Sequence, residues 1–331
     1  MVELSVQPKI NSGEAAEKRY RTFTDYLRQE FAAPAEEKPG TTRVYRVPID
    51  AGFTCPNRDG SRAFGGCTFC DDRGSGAPTI DQRLLVEEQL RTGIARVRKR
   101  FKANKFLAYF QAFTNTYAPE AVLKSLYDTA LAHEEVVGLC IGTRPDCLPD
   151  NVLDLLAEYA RKTYVLVEVG LQTAVNRTLE TINRGHSAEE FFDAVERAHK
   201  RKLRLATHLI FGLPDESEAE MMSTVRKVAA TEALGVMGVK IHQLCIYRGT
   251  PMEADYNQGR LPLLGEERYV RLVCDALELL SPRQTIMRLV AEGTRDEVVA
   301  PDWSFDKQRI LSAIDDELSR RNSRQGMRFG Q

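Results

Sequence analysis

Three of the seven cysteines lie in one short loop. Cys67 and Cys70 are separated by two residues, and eleven residues separate Cys55 from Cys67. A Cys-x2-Cys pair lets two thiolates reach one metal centre, and the long polar loop can bring Cys55 back to it. Gly65 and Gly66 permit a sharp turn and expose backbone N–H groups that commonly hydrogen-bond metal-bound sulfurs. The spacing predicts a metal centre with three cysteine ligands.

The same loop leaves one coordination position open, because it contains no fourth cysteine or histidine. A closed structural zinc site needs four ligands, whereas a reactive centre needs an open position. The alternative is a zinc site completed by a distant residue such as Cys147 or His186. A thioredoxin-like pair is disfavoured, since the third cysteine and the glycines would then have no role.

The composition is that of a globular protein and sets limits on its class. The 331 residues include 46 Lys plus Arg and 47 Asp plus Glu, and 43% are hydrophobic, which excludes a wholly disordered or collagenous chain. A net charge of −1 argues against binding nucleic acid by bulk electrostatics. No apolar run approaches the ~20 residues of a membrane span, and the start lacks a secretion signal. The seven unevenly placed cysteines then indicate a reducing cytoplasm.

The elements that must position the cysteines alternate between two types. Short runs that are apolar on both faces, as expected for strands covered on both sides, alternate with helical patterns. This alternation predicts an α/β protein with a parallel sheet or barrel of six or seven βα units. The predicted strands are 43–49, 105–110, 136–141, 163–169, 203–211, 236–246 and 285–291. The predicted helices are about 81–102, 118–132, 149–161, 187–201, 215–233 and 264–280, with start signals at Asp81, Pro119 and the Ser187/Glu190 capping box. The site should lie at the carboxyl ends of the strands.

Both ends of the chain are predicted to be extensions of this core. Residues 1–42 contain an amphipathic helix at Arg19–Phe31 and a linker rich in Pro, Gly and charge. The core is predicted over 43–292. Residues 293–331 form a C-terminal extension with an extended stretch at Val298–Trp303, a helix at about 305–321 and a basic tail.

The stretch VPIDAGFTCPNRDGSRAFGGCTFC (47–70) resembles the bacterial YhcC/YtqA-type radical S-adenosylmethionine (radical SAM) proteins, relatives of the Elp3-like group. Its Cys-x11-Cys-x2-Cys spacing departs from the usual CxxxCxxC of the superfamily, but this subfamily carries the expanded loop. The resemblance covers roughly residues 19–303. The further matching segments are YFQAFTNTYAP (109–119), IGTRPDCL (141–148), VEVGLQT (167–173), INRGH (182–186), HLIFGLP (208–214), KIHQLCIYRGTP (240–251) and MRLVAEGTRD (287–296).

The resemblance implies a partial (β/α)6-type TIM barrel and a particular chemistry. Cys55, Cys67 and Cys70 would hold three irons of a [4Fe–4S] cluster, and S-adenosylmethionine (SAM) would bind the fourth. A reductant such as flavodoxin or ferredoxin would supply the electron that cleaves SAM to a 5′-deoxyadenosyl radical. The protein supplies binding, orientation and electrostatics to the cofactor.

The resemblance also implies two SAM contacts close to the cluster. Phe69 matches the aromatic residue that packs on the adenine, with a plain core contact as the alternative. Gln111, in FQAFT, stands where the superfamily has the glycine-rich segment that approaches the methionine amino group.

Four further SAM contacts are implied on the following strands and their connections. Glu168 and Gln172 match polar strand-end positions, Arg184 matches the arginine that neutralises the methionine carboxylate, and His208 stands at a ribose-contacting position. A buried Glu168 is costly unless it is paired, which favours a functional role. Arg184 alternatively caps a helix connection, and His208 alternatively is a core histidine.

The substrate is less defined than the cofactors. Basic residues concentrate in 91–105, 197–204 and 320–328, which together offer a path for tRNA phosphates; separately they are ordinary solvated faces. The Elp3-like resemblance implies modification of a tRNA wobble uridine. A small molecule or peptide that enters the barrel is the second hypothesis, and a non-catalytic, zinc-stabilised nucleic-acid-binding protein is the third.

Overall fold

The computed structural model describes residues 18–32, 42–74, 76, 80–291 and 293–331. The predicted linker therefore falls almost entirely outside the described residues. Within them, no helix has both the length and the apolarity needed to span a membrane.

The core is a curled half-barrel of seven parallel strands in the order β1-β2-β3-β4-β5-β6-β8, which confirms the predicted partial barrel. Strand β4 is buried at all nine positions, as expected for a strand covered on both faces. The strands are β1 (Val44–Ile49), β2 (Lys105–Phe110), β3 (Val136–Thr143), β4 (Tyr164–Gln172), β5 (Arg204–Phe211), β6 (Val236–Gln243) and, after the short β7 (Ile246–Tyr247), β8 (Thr285–Arg288).

The helices connect these strands and, in the described chain, follow the predicted pattern with two short additions, α5 and α8. The Ser187/Glu190 capping box is present as predicted. The prediction that a helix starts at Asp81 is wrong. The Asp81 carboxylate accepts a hydrogen bond from the Arg83 backbone N–H at 3.1 Å, and the helix begins at Val86. The helices are α1 (Phe23–Glu30), α2 (Val86–Phe101), α3 (Glu120–Leu131), α4 (Asp150–Ala160), α5 (Asn176–Thr181), α6 (Ala188–Lys200), α7 (Glu218–Ala230), α8 (Pro251–Asn257), α9 (Glu266–Leu279) and α10 (Lys307–Arg320).

The predicted strand 236–246 is in fact two strands. β6 ends at Gln243, and β7 leaves the barrel to pair antiparallel with β9 (Val298–Ala300). The predicted extended stretch 298–303 is shorter than expected, because a 3-10 helix begins at Asp302.

Helix α1 packs its apolar face against the inner side of the half-barrel, while Thr24 and the last three residues of the helix stay exposed. Its buried residues Phe23, Tyr26 and Leu27 belong to one apolar cluster with inward-facing strand residues such as Leu107 and Leu166. Thr22, which caps the helix, also bridges to the edge strand β8. The apolar half of the barrel interior is therefore filled by α1, and the polar half is left as a cavity.

Candidate functional site

One cavity of about 820 Å³ brings together every residue that the sequence predicted for the site. It lies at the carboxyl ends of the strands and continues past the edge strand β1, where Tyr45, Arg100 and Phe101 line it. The predicted residues that line it are Cys55, Cys67, Phe69, Cys70, Gln111, Glu168, Gln172, Arg184 and His208.

The cysteine loop begins directly after β1 and folds back on itself. Gly65 and Gly66 have φ values of +78° and +79°, a conformation that favours glycine. The Gly66 N–H donates to the Asn57 carbonyl at 2.8 Å, and the Cys70 N–H donates to the Cys67 carbonyl at 2.9 Å. These turns place all three cysteines at the cavity wall, as the glycines in the sequence predicted.

Each of the three sulfurs is contacted by the guanidinium of a different arginine. The three arginines come from separate segments, one from the cysteine loop itself, one following β3 and one between α5 and α6. The pairs are Arg144–Cys55 at 3.9 Å, Arg184–Cys67 at 3.5 Å and Arg58–Cys70 at 3.4 Å. Each sulfur therefore has a cationic group beside it that can pair with a metal-bound thiolate.

The sulfurs are close enough to influence one another. Burial and the neighbouring charge of Cys67 raise the pKa of the Cys70 thiol to about 11, against the opposing effect of Arg58. Within the described residues, no three His, Cys, Asp or Glu side chains surround a site for a single metal ion. A [4Fe–4S] cluster takes one cysteine for each of its irons, so it does not require single-ion geometry.

Arg184 is held beside the sulfurs with one donor unused. Its Nη2 donates to the Gly170 carbonyl at 2.8 Å. A Cβ at position 170 would stand only 2.7 Å from this Nη2, so the close approach needs glycine. Its Nε is buried and has no hydrogen-bond partner among the described residues. The ring nitrogens of His186 lie at 3.2 Å and 3.0 Å from the Gly170 and Ser187 carbonyl oxygens. Arg184 thus keeps a buried donor that a ligand can satisfy.

Glu168 lies at the centre of an inner polar cluster, formed by Arg46, Tyr109, Glu168, His208 and Lys240. Arg46 donates to one carboxylate oxygen at 3.0 Å. The Tyr109 hydroxyl donates to the other at 2.7 Å, and His208 Nε2 lies 3.0 Å from it. Lys240 is ion-paired with the same carboxylate and lies 3.0 Å from the Tyr109 oxygen. The pairing that a buried Glu168 requires is therefore present.

The charges of this cluster depend on one another. Burial opposes ionisation of Glu168, but Lys240, His208 and Arg46 outweigh it and hold the pKa of its carboxyl well below the usual value. Burial lowers the pKa of Lys240 to about 7 although Glu168 opposes the shift. Burial and the charge of Lys240 lower the pKa of His208 to about 4, so His208 is neutral at pH 7.

The remaining predicted residues line the cavity at strand ends. Gln172 has a φ of +76°, and the β4–β5 register shifts between Gly170 and Gln172, which aims the end of β4 into the cavity. Phe69 is partly buried against the core, and Gln111 follows β2, where its N–H donates to the Ile49 carbonyl at 3.1 Å.

Sequence reasoning missed several residues of the site. The basic residues Arg46, Arg58 and Lys240 were not predicted as site residues. Lys240 gave the same signal as Glu168, because it is a charged residue inside an apolar strand, VMGVKIHQ (236–243). Cys147 and Cys245 also follow strand ends and both are buried, but only Cys245 is among the residues that line this cavity.

Comparison with known proteins assigns this fold and site to a class. Residues 55–228 match the radical SAM superfamily, and residues 236–320 match the radical SAM C-terminal domain. The chain belongs to the radical SAM superfamily. It is therefore an enzyme, and the family implies a [4Fe–4S] cluster and SAM as its cofactors; the predicted enzyme class and cofactors are confirmed, against the hypothesis of a non-catalytic zinc protein.

Within that class the chain is similar over nearly its full length to bacterial proteins of the predicted type. It is 42% identical to the uncharacterized protein YtqA of Bacillus subtilis over 313 residues, 95% of this chain and 94% of the relative. It is 39% identical to protein YhcC of Escherichia coli over 278 residues, 84% and 88% of the two chains.

More distant similarity leads to the Elp3 group. The chain is 27% identical to the tRNA uridine(34) acetyltransferase of Methanocaldococcus infernus over 157 residues, which are 47% of this chain and 27% of that protein. The structure of Elp3 from the same organism has a TM-score of 0.64 at 17% identity and covers 86% of this chain and 64% of that one. At this identity the structural match shows a shared fold.

Proposed function

We propose that Cys55, Cys67 and Cys70 hold three irons of the [4Fe–4S] cluster and that SAM binds the fourth. The observation that carries this proposal is the placement of all three sulfurs at one cavity wall, each beside its own arginine. The donor set fits the group, because three thiolates can each bind one iron and three guanidinium groups can balance the negative charge of a thiolate-bound cluster.

SAM is proposed to lie between the cysteine loop and the ends of β2, β4 and β5. The unused Nε of Arg184 would donate to the methionine carboxylate. Phe69 would pack on the adenine, and Gln111 and Gln172 would contact the polar parts of SAM. His208 would contact the ribose, with Glu168 fixing its ring through the 3.0 Å contact. Both oxygens of Glu168 already have partners, so its proposed role is to position His208.

The protein's own contribution is binding and containment. When bound, the cluster supplies the electron for reductive cleavage of SAM. Arg58, Arg144 and Arg184 hold the sulfurs in place, and the apolar residues that α1 packs into the barrel interior exclude water from that side. We propose that flavodoxin or ferredoxin is the reductant, in a reducing cytoplasm where the seven free thiols persist.

Replacing Cys70 tests the cluster assignment. Cys70→Ala should yield, after anaerobic purification, a colourless protein that forms no 5′-deoxyadenosine from SAM and dithionite. Cys274→Ala is the matched control, because Cys274 is buried on α9 outside the cavity lining, and it should stay brown. Retained SAM cleavage in the Cys70 variant would mean that the ligands are misassigned.

We propose a tRNA wobble uridine as the substrate. The similarity to the tRNA uridine(34) acetyltransferase supports it over the shared segment. The basic end of α2 supports it too, because Arg100 lines the cavity beside β1 and the neighbouring Lys99 and Lys102 are exposed. The core over 43–292 would hold the chemistry, and the extensions 1–42 and 293–331 would complete its surface.

Two measurements test this substrate. The modified nucleosides of tRNA from cells with and without the gene should differ at the wobble uridine; identical profiles would contradict the proposal. The affinity for tRNA should fall steeply with salt, since phosphate contacts release counterions. A slope of log affinity against log salt near zero would exclude a phosphate-tracking surface.

A further inference from the structure

Arg288 brings an additional positive charge to the cavity. It ends strand β8, lines the cavity and is half-buried. No carboxylate within the described part of the chain forms an ion pair with it, whereas Arg73, on the cysteine-loop side of the same cavity, is paired with Glu297. A guanidinium in such a place lacks the partner that a partly buried charge normally has.

His242 provides a second unused group on the same side. Its Nε2 is buried without a hydrogen-bond partner among the described residues, and the residue lines the cavity. Its ring centre is 5.8 Å from that of His208. Arg288 on β8 is paired in register with Lys240 on β6, and His242 follows two residues later on the same face of β6. Burial and the charge of Arg288 lower the pKa of His242 well below the usual value.

Within the inner polar cluster, the positive charge exceeds the negative charge. In the inner polar cluster as described, Glu168 is the one carboxylate, and Arg46 and Lys240 already pair with it. Arg288 acts on this cluster as well, because its charge contributes to lowering the pKa of Lys240, after burial and Arg46. One carboxylate therefore faces three basic side chains, and this imbalance favours an anionic ligand.

We propose that Arg288 and His242, beside the inner polar cluster, bind an acidic group of the substrate, a carboxylate or a phosphate. The inference rests on the proposed function for the place of the cluster and SAM, and it names the class of substrate that enters the same cavity. A planar guanidinium can donate two parallel hydrogen bonds to a carboxylate or to a phosphate, and a neutral imidazole can donate one more through its N–H. Arg184 would remain available to SAM.

Calorimetric titration of cluster-containing protein with inorganic phosphate, acetate, uridine monophosphate and uridine tests the site. We expect at least one acid to bind, and uridine monophosphate to bind more tightly than uridine if the acid is a phosphate. Arg288→Gln and His242→Phe should each weaken that binding at least tenfold. The matched control is Arg283→Gln, whose side chain is exposed and paired with Glu232, and it should bind normally. Unchanged binding in both site variants would overturn the proposal.

Two further outcomes separate this site from its neighbours. Phosphate and SAM should bind together; mutual exclusion would assign the acidic site to the carboxylate of SAM and overturn the proposal. Iron content measured on each preparation reports the cluster separately. If iron-free protein still binds phosphate through Arg288, the acidic-group site stands and the proposed cluster ligands are contradicted. If iron-containing protein binds no acid, the acidic-group site alone is contradicted.

Discussion

At the scale of single residues, charge inside an apolar strand was the most informative signal in the sequence. It supported a functional role for Glu168, to which the family resemblance had pointed, and the structure shows why a carboxylate is tolerated there, since Arg46, Tyr109, His208 and Lys240 all contact it. The pairing of these four residues with Glu168 could not be predicted, because they come from four other strands and their meeting depends on the register of the sheet. The cysteines were easier to predict, since their spacing is local.

Glu168→Gln should destabilise the protein strongly. The substitution leaves Arg46 and Lys240 without their buried counter-charge, which typically costs about 3–5 kcal/mol. Chemical denaturation measures the loss in the free energy of unfolding. Glu135→Gln is the control, because it removes an exposed pair with Arg98 and should cost at most about 1 kcal/mol. Similar losses in the two variants would contradict the account of the inner polar cluster.

Glu216 should make stability depend on pH in a defined direction. Its carboxylate accepts from the Thr173 hydroxyl at 2.8 Å, but its other oxygen is buried without a partner among the described residues. Burial raises its pKa from 4.5 to about 7, so between these values the folded protein keeps a proton that the unfolded chain has released. Stability from this group is present below pH 4.5 and is lost as the pH rises through 7.

Glu216→Gln, which cannot ionise, should therefore gain stability over the native protein as the pH is raised from 5 to 8, by at least about 1 kcal/mol. Denaturation midpoints at the two pH values measure this difference. Parallel pH profiles for the two proteins would show that Glu216 is ionised in the fold.

At the scale of elements, the alternation of strand and helix patterns predicted the sheet, because hydrophobic period is a local property of the chain. The short β7 was not separated from the strand predicted at 236–246, and the extended stretch predicted at 298–303 contains only the three residues of β9, since two or three residues carry no period. Helix α1 was predicted, but not its position. Its apolar face would suit an outer surface equally well, and only the open side of the half-barrel determines that it packs inside.

Phe23→Ala tests the position of α1. Phe23 is buried, stacks on Tyr26 with ring centres 5.9 Å apart and lies beneath the guanidinium of Arg46 at 5.0 Å. Its loss should cost about 3–5 kcal/mol and lower the apparent melting temperature. Phe329→Ala, at a ring that is 41% exposed, should cost much less. A small effect at Phe23 would place α1 outside the barrel.

At the scale of the whole molecule, the class of protein followed from motifs spread along the chain, whereas the cavity that unites them required the fold. The cysteine loop, the segment after β3 and the segment between α5 and α6 meet around the sulfurs. The loop also contacts the other two segments directly, through Arg62 beside Asp146 and through the Asn183 amide, which donates to the Gly66 carbonyl at 2.8 Å. A cluster bound there would add to the contacts that join these three connections of the barrel.

Loading the protein with iron and sulfide should therefore stabilise the entire fold. A ligand bound to the native state at one hundred times its dissociation constant adds about 2.7 kcal/mol, and we expect a melting temperature several degrees higher after anaerobic reconstitution. Differential scanning calorimetry measures this shift. Cys70→Ala protein, treated identically, should show none, and an equal rise in that variant would indicate non-specific iron binding.

The guanidinium groups beside Cys55, Cys67 and Cys70 also bear on the energy at which an electron can be delivered. Charge around an iron–sulfur centre and hydrogen bonds to its sulfurs set its reduction potential. With the proposed cluster bound at these sulfurs, three cationic donors would make its reduced form easier to reach, and the midpoint potential should be less negative than in a neutral surrounding. The arginines would thereby widen the range of electron carriers able to start the reaction.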